Sequence, residues 1–178
     1  CGMRARDAIV NITDCTFDNN DNNNTSTGNH YGGACYFYNC DITIENSTFK
    51  NNLGGNQGGA ISTDGYSYST LTVTNSTFYN NSTKQTSSGS GGAIYCSGTS
   101  EITNCTFKEN STTYSGGALC LGSGTHYLTN ITVVDNYLTS TLYDAEGVYS
   151  YGTVYLKNCL IANNDNGDYD KSGGTVID

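Results

Sequence analysis

A chain of 178 residues is long enough for one domain with a real core, yet this one has no Pro, no Trp, 22 Gly, 15 Tyr and a formal charge of -9. Only seven residues are basic, with Arg4 and Arg6 the one close pair; this argues against a nucleic-acid partner, since phosphate binding works through clustered cations that release counterions. No apolar run has the length needed to span a bilayer.

In chain order, a nine-residue pattern runs from Ile12 to Asn20. It returns as Ile44 to Asn52, Val73 to Asn81, Ile102 to Asn110, Leu128 to Asn136 and Leu156 to Asn164. Between these copies stands a second element: Gly32-Gly33-Ala34-Cys35, Gly58-Gly59-Ala60-Ile61, Gly91-Gly92-Ala93-Ile94 and Gly116-Gly117-Ala118-Leu119. It degrades to Glu146-Gly147-Val148-Tyr149 and is read again in Gly173-Gly174-Thr175-Val176. The steps between successive elements are 26, 33, 25, 30 and 27 residues.

Within each repeat the apolar residues alternate with period two, as in Ile42-Thr43-Ile44 and Leu71-Thr72-Val73, which is the strand pattern. Gly, Asn and Ser punctuate the runs. Strands that return in every repeat and stack on their own copies make a solenoid. The expected fold is therefore all-β, a parallel β-helix of about six coils over residues 1–178. The longer polar excursions, Asn19 to Asn29, Ser82 to Ser90 and Tyr137 to Ala145, project from its corners.

Each repeat position has a mechanical reading. Phe17, Phe49, Phe78 and Phe107, continued by Val133 and Ile161, form an inward stack with coils about 4.8 Å apart. Three residues earlier runs a polar column of Asp14, Asn46, Asn75, Asn104, Asn130 and Asn158. Three residues later runs another, of Asn20, Asn52, Asn81, Asn110, Asn136 and Asn164. Asn tolerates left-handed turn geometry and its amide both donates and accepts, so both columns are expected to be corner ladders.

The pairing of Gly-Gly-Ala-Ile with Phe-x-x-Asn resembles the repeat of right-handed parallel β-helix surface proteins, such as chlamydial polymorphic outer-membrane proteins and adhesin-like proteins of methanogenic archaea. The resemblance runs from Ile12 to Val176. It implies a right-handed coil and a secreted or surface-displayed, adhesive or structural role. Neither an anchor nor an autotransporter barrel is among the matching parts.

The two ends read as halves of one coil. Gly173 to Asp178 would open it and Cys1 to Asn20 would close it, giving a joined coil of 26 residues with no cap at either end. This suggests one period of a tandem array or a subunit that stacks head to tail, the alternative being the boundary of a fragment.

Several residues are candidates for chemistry. Eight Cys and many Asn-x-Ser/Thr acceptors point to an extracellular setting. The acceptors are Asn11, Asn23, Asn24, Asn46, Asn75, Asn80, Asn81, Asn104, Asn110 and Asn130. Asn24 is the first choice for a covalent N-glycan, and Asn81 and Asn110 read as safer than the corner column because they adjoin loops. Cys96 with Cys120 is the leading disulfide candidate and Cys35 with Cys40 the second, while Cys15, Cys105 and Cys159 fill a small inward site shared with Ser47 and Ser76. Asp165, Asp168 and Asp170 are weak calcium candidates, without the spacing of an EF-hand loop; no other metal or cofactor is implied.

Enzymatic cleavage of acidic polysaccharides would need carboxylates converging on one face. Glu45, Glu101 and Asp135 are scattered, and His30 and His126 read as surface residues. No catalytic residues are assigned and the chain is read as a non-enzyme. An outward column of Thr16, Thr48, Thr77, Thr106 and Thr132 reads as a solvent-facing ladder rather than a site for ice or crystalline polysaccharide. The leading function is an extracellular structural repeat that stacks end to end into a fibre or surface layer. The alternative is an adhesin binding external glycans or a host surface through loops or Tyr36, Tyr38, Tyr66, Tyr68 and Tyr79. A polysaccharide lyase or hydrolase comes third.

Overall fold

A computed structural model describes residues 1–22, 31–64, 69–84, 89–139, 147–165 and 167–177. Their strands all pair in parallel and fall into four sheets, named here A to D in the order the chain meets them. Sheet A stacks seven strands, beginning with Met3–Arg6 and Cys35–Tyr38 and ending with Tyr169–Lys171. Sheet B stacks seven, from Ile9–Thr13 to Val176–Ile177, and sheet C six, from Thr16–Asp18 to Leu160–Ala162. Sheet D is narrower, with Leu53–Gly54, Ser82–Thr83, Ser111–Thr112 and Tyr137–Leu138. The expected parallel β-helix is therefore the observed fold.

Sheet B follows the alternation directly. In Asp41–Glu45 and Thr70–Thr74 the second and fourth residues are buried and the others point outward. In sheet C the inward place belongs to phenylalanine. Phe17, Phe49, Phe78 and Phe107 stack with ring centroids 4.8, 5.0 and 4.8 Å apart and interplanar angles of at most 9°. Val133 and Ile161 continue the column in register. Full burial of each such side chain contributes roughly 1.5–3 kcal/mol.

The corners explain the repeat's polar residues. Between sheets B and C, Asp14, Asn46, Asn75, Asn104, Asn130 and Asn158 all have φ near +50°. After sheet C the left-handed residue is Asn19, Asn51, Asn80, Glu109, Asp135 or Asn163. Here the expectation is corrected: the second asparagine column does not supply the left-handed turn, which belongs to the residue before it. The column itself turns inward, leaving Asn52, Asn81, Asn110 and Asn136 at most 1% exposed.

The Gly-Gly pair at the entry to sheet A does two jobs. Gly91 has φ +69°, which strains any residue with a Cβ. A Cβ on Gly92 would lie 1.9 Å from the carbonyl oxygen of Gly117, so the second glycine is fixed by contact between coils.

The last two elements depart from the sequence reading. Val148 pairs with Leu119, so the degraded fifth element is shifted by one residue from the expected alignment. At the sixth, the sheet A place is taken by Tyr169–Lys171, and Gly173 and Gly174 lead instead into sheet B, where Val176 pairs with Val154. The expected opening half-coil is therefore corrected: residues 173–177 lead into sheet B rather than opening a coil in sheet A.

Candidate functional surface

The inner asparagine column is a continuous hydrogen-bonded ladder. The Asn81 backbone N–H and side-chain Nδ2 both donate to Asn110 Oδ1, at 3.0 and 2.9 Å, and Nδ2 also donates to the Phe49 carbonyl at 2.9 Å. Asn52 repeats the pattern toward Asn81, and Asn110 and Asn136 carry it on toward Asn164. A glycan on Asn81 or Asn110 would break this ladder. Their sequence-based ranking as safer acceptors is thus reversed, because the corner that looked loop-like turns its side chain into the core.

The outer column is exposed and still forms a ladder. Asn75, Asn104 and Asn130 each donate Nδ2 to the Oδ1 of the preceding coil's Asn, at 3.3, 3.2 and 3.1 Å. The buried ladder and the exposed acceptors are therefore separate columns. Each position of the Asn46-Ser47-Thr48 acceptor also has a mechanical role. Asn46 takes the left-handed turn, Ser47 turns in to donate to the Glu45 carbonyl at 2.7 Å, and Thr48 faces outward in sheet C. Asn11 and Asn80 are exposed as well, while Asn23 and Asn24 lie outside the described residues.

All eight cysteines are free thiols. Cys96 pairs across sheet A with Leu121, and Cys120 with Tyr95. That one-residue offset sends the two thiols to opposite faces of the sheet, so the expected bridge is corrected. Cys35 and Cys40 are likewise unbridged: Cys35 lies in sheet A opposite Ile61, and Cys40 turns at the following corner, its Sγ 3.3 Å from the Tyr38 carbonyl. Burial pushes the thiols of Cys35 and Cys120 up to about 12 and that of Cys105 to about 11. The small inward site is filled by Ser47, Ser76 and Cys105, with the Ser47 N–H donating to Ser76 Oγ, whereas Cys15 is exposed and Cys159 only half-buried, so the expectation holds for the middle coils alone.

The acidic candidates do not converge. Asp168 Oδ1 accepts from Asn164, Asp170 Oδ1 accepts the Lys171 N–H at 2.7 Å, and Asp165 sits in an exposed turn. Among the described residues no three His, Cys, Asp or Glu side chains are gathered to hold a metal. Glu45 and Glu101 face outward from sheet B in different columns, and Asp135 pairs with Lys108 at 3.7 Å.

His126 is not a surface residue; it is fully buried on the inner face of sheet B. Its Nε2 lies 3.1 Å from the Gly122 carbonyl, which can only accept, so Nδ1 takes the Ser100 hydroxyl proton at 2.9 Å. Burial lowers its pKa and keeps the ring neutral. His30 lies outside the described residues.

The tyrosines named from sequence are largely engaged. Arg4 and Arg6 stack over Tyr36 and Tyr38 at 5.1 and 4.6 Å, and the Tyr79 phenol donates to Glu109 at 2.9 Å. Tyr66 and Tyr68 are outside the described residues. The sequence reading missed a second pair, Tyr127 and Tyr155, which stack at 4.9 Å on the outer face of sheet B. Their coincidence at the central position of aligned strands is the signal that would have found them.

A family model described as a right-handed β-helix region matches residues 2–178. No curated protein and no solved structure matches the chain.

Proposed function

Since the chain belongs to the right-handed β-helix family, we propose that it is a non-enzymatic structural repeat of an extracellular fibre or surface layer, built by stacking coils end to end. The observation that carries this reading is the buried asparagine ladder, whose members bond almost entirely to the coils before and after them. Such a ladder confers rigidity along one axis and favours adding coil to coil.

Electron microscopy of the purified protein tests this. The expected outcome is filaments advancing about 34 Å per chain, from seven stacked strands in sheets A and B at about 4.8 Å each. Monodisperse short rods would overturn end-to-end assembly.

A second reading, a surface adhesin that binds glycans, is favoured by the exposed Tyr127–Tyr155 pair on the outer face of sheet B. A glycan array distinguishes it from a purely structural role.

A further inference from the structure

We propose that the outer face of sheet B is a binding face for a neutral, hydroxyl-rich polysaccharide, which deepens the adhesin reading and rests on it. In register, the face carries three outward columns. One is Thr70, Thr99, Thr125 and Thr153; another is Thr74, Thr103 and Thr129; between them stand Thr43, Thr72, Glu101, Tyr127 and Tyr155. Hydroxyls therefore repeat about every 4.8 Å along the axis and about 6.6 Å along each strand. The Thr70 hydroxyl donates to Asp41 at 2.8 Å. The other threonine hydroxyls of these columns have no side-chain partner among the described residues, so they are free to bond outward.

The central column becomes aromatic where it passes the last coils. Tyr127 and Tyr155 are 45% and 36% exposed, and with Thr129, Lys157 and Ile177 they line a cleft of about 350 Å³. An apolar floor between rows of hydroxyls suits the C–H faces and O–H edges of a sugar chain lying along the axis. The charges decide the class. Asp41, Glu45 and Glu101 outnumber the single cation Lys157 on this face, which disfavours an anionic chain.

The test is co-sedimentation of the whole chain with microcrystalline cellulose and with chitin, alongside soluble xyloglucan and polygalacturonate in affinity electrophoresis. Retention on at least one neutral polysaccharide is expected, with polygalacturonate excluded. Tyr127→Ser/Tyr155→Ser and Thr103→Lys/Thr129→Lys should each weaken binding at least about tenfold, while Thr77→Lys on sheet C leaves it unchanged. Circular dichroism and the unfolding midpoint verify that each variant is folded. Absence of neutral-polysaccharide binding, or preference for polygalacturonate, would overturn the proposal. Neutral binding that survives both double variants would overturn this face alone and leave the adhesin reading standing.

Discussion

Asp168 stands where each earlier coil places an asparagine amide: its Oδ1 accepts both the backbone N–H of Asn164, at 3.1 Å, and the Asn164 side-chain amide, at 3.0 Å. A carboxylate four residues away thereby substitutes for the Oδ1 of a following coil. Asp168→Asn should keep the acceptor and change stability little. Asp168→Ala should lower stability by about 1–2 kcal/mol by leaving both donors without a partner, and chemical denaturation of the two variants measures the difference.

The middle of the same ladder is more sensitive. Asn110 accepts two bonds from Asn81 and donates to Asn136 and the Phe78 carbonyl. Asn110→Ala is expected to cost about 3–5 kcal/mol, since several buried groups lose partners at once. Asn104→Ala, at an exposed left-handed corner, should cost only about 1–2 kcal/mol. Equal costs would mean that burial does not distinguish the two columns.

Deleting one ring from the aromatic stack tests the core. Phe78 is fully buried between Phe49 and Phe107. Phe78→Ala should destabilise by about 3–5 kcal/mol, and Phe78→Leu by clearly less, read from shifts in the urea midpoint.

His126 sets a pH dependence. Its folded-state pKa is lowered by burial, so below the ordinary histidine value the unfolded chain binds a proton that the folded chain resists. Stability is therefore fully present above that value and falls as the solution is acidified through it, by no more than about 1.4 kcal/mol per pH unit. Stability curves of the parent and His126→Leu should diverge in slope only in that acidic window.

Thiol reactivity and glycan mapping report the corners. Under native conditions the exposed Cys1 and Cys15 should react with a disulfide reagent, while Cys35, Cys105 and Cys120 stay silent until the chain is denatured. In a glycosylating host, mass spectrometry should find Asn81 and Asn110 unmodified in folded protein, with any glycan on exposed positions such as Asn46 or Asn104. Modified Asn110 in folded material would contradict the inner ladder.

The parallel β-helix, the phenylalanine stack and the existence of two asparagine columns were legible in the sequence, because a solenoid writes each structural position once per coil. Inward Phe78, outward Thr77 and the glycine pair at Gly91-Gly92 follow from period-two alternation and local turn chemistry, which need no distant information. Which asparagine column faces water depended on the corner angle: a left-handed residue at Asn80 turns Asn81 inward, whereas at the other corner Asn75 itself is left-handed and stays outside. Likewise, whether Cys96 meets Cys120 and whether Gly173 opens a coil are matters of register between strands 20 to 30 residues apart. A shift of one residue reverses every side chain's direction, and that shift is decided by how neighbouring coils pack rather than by the residues within any one of them.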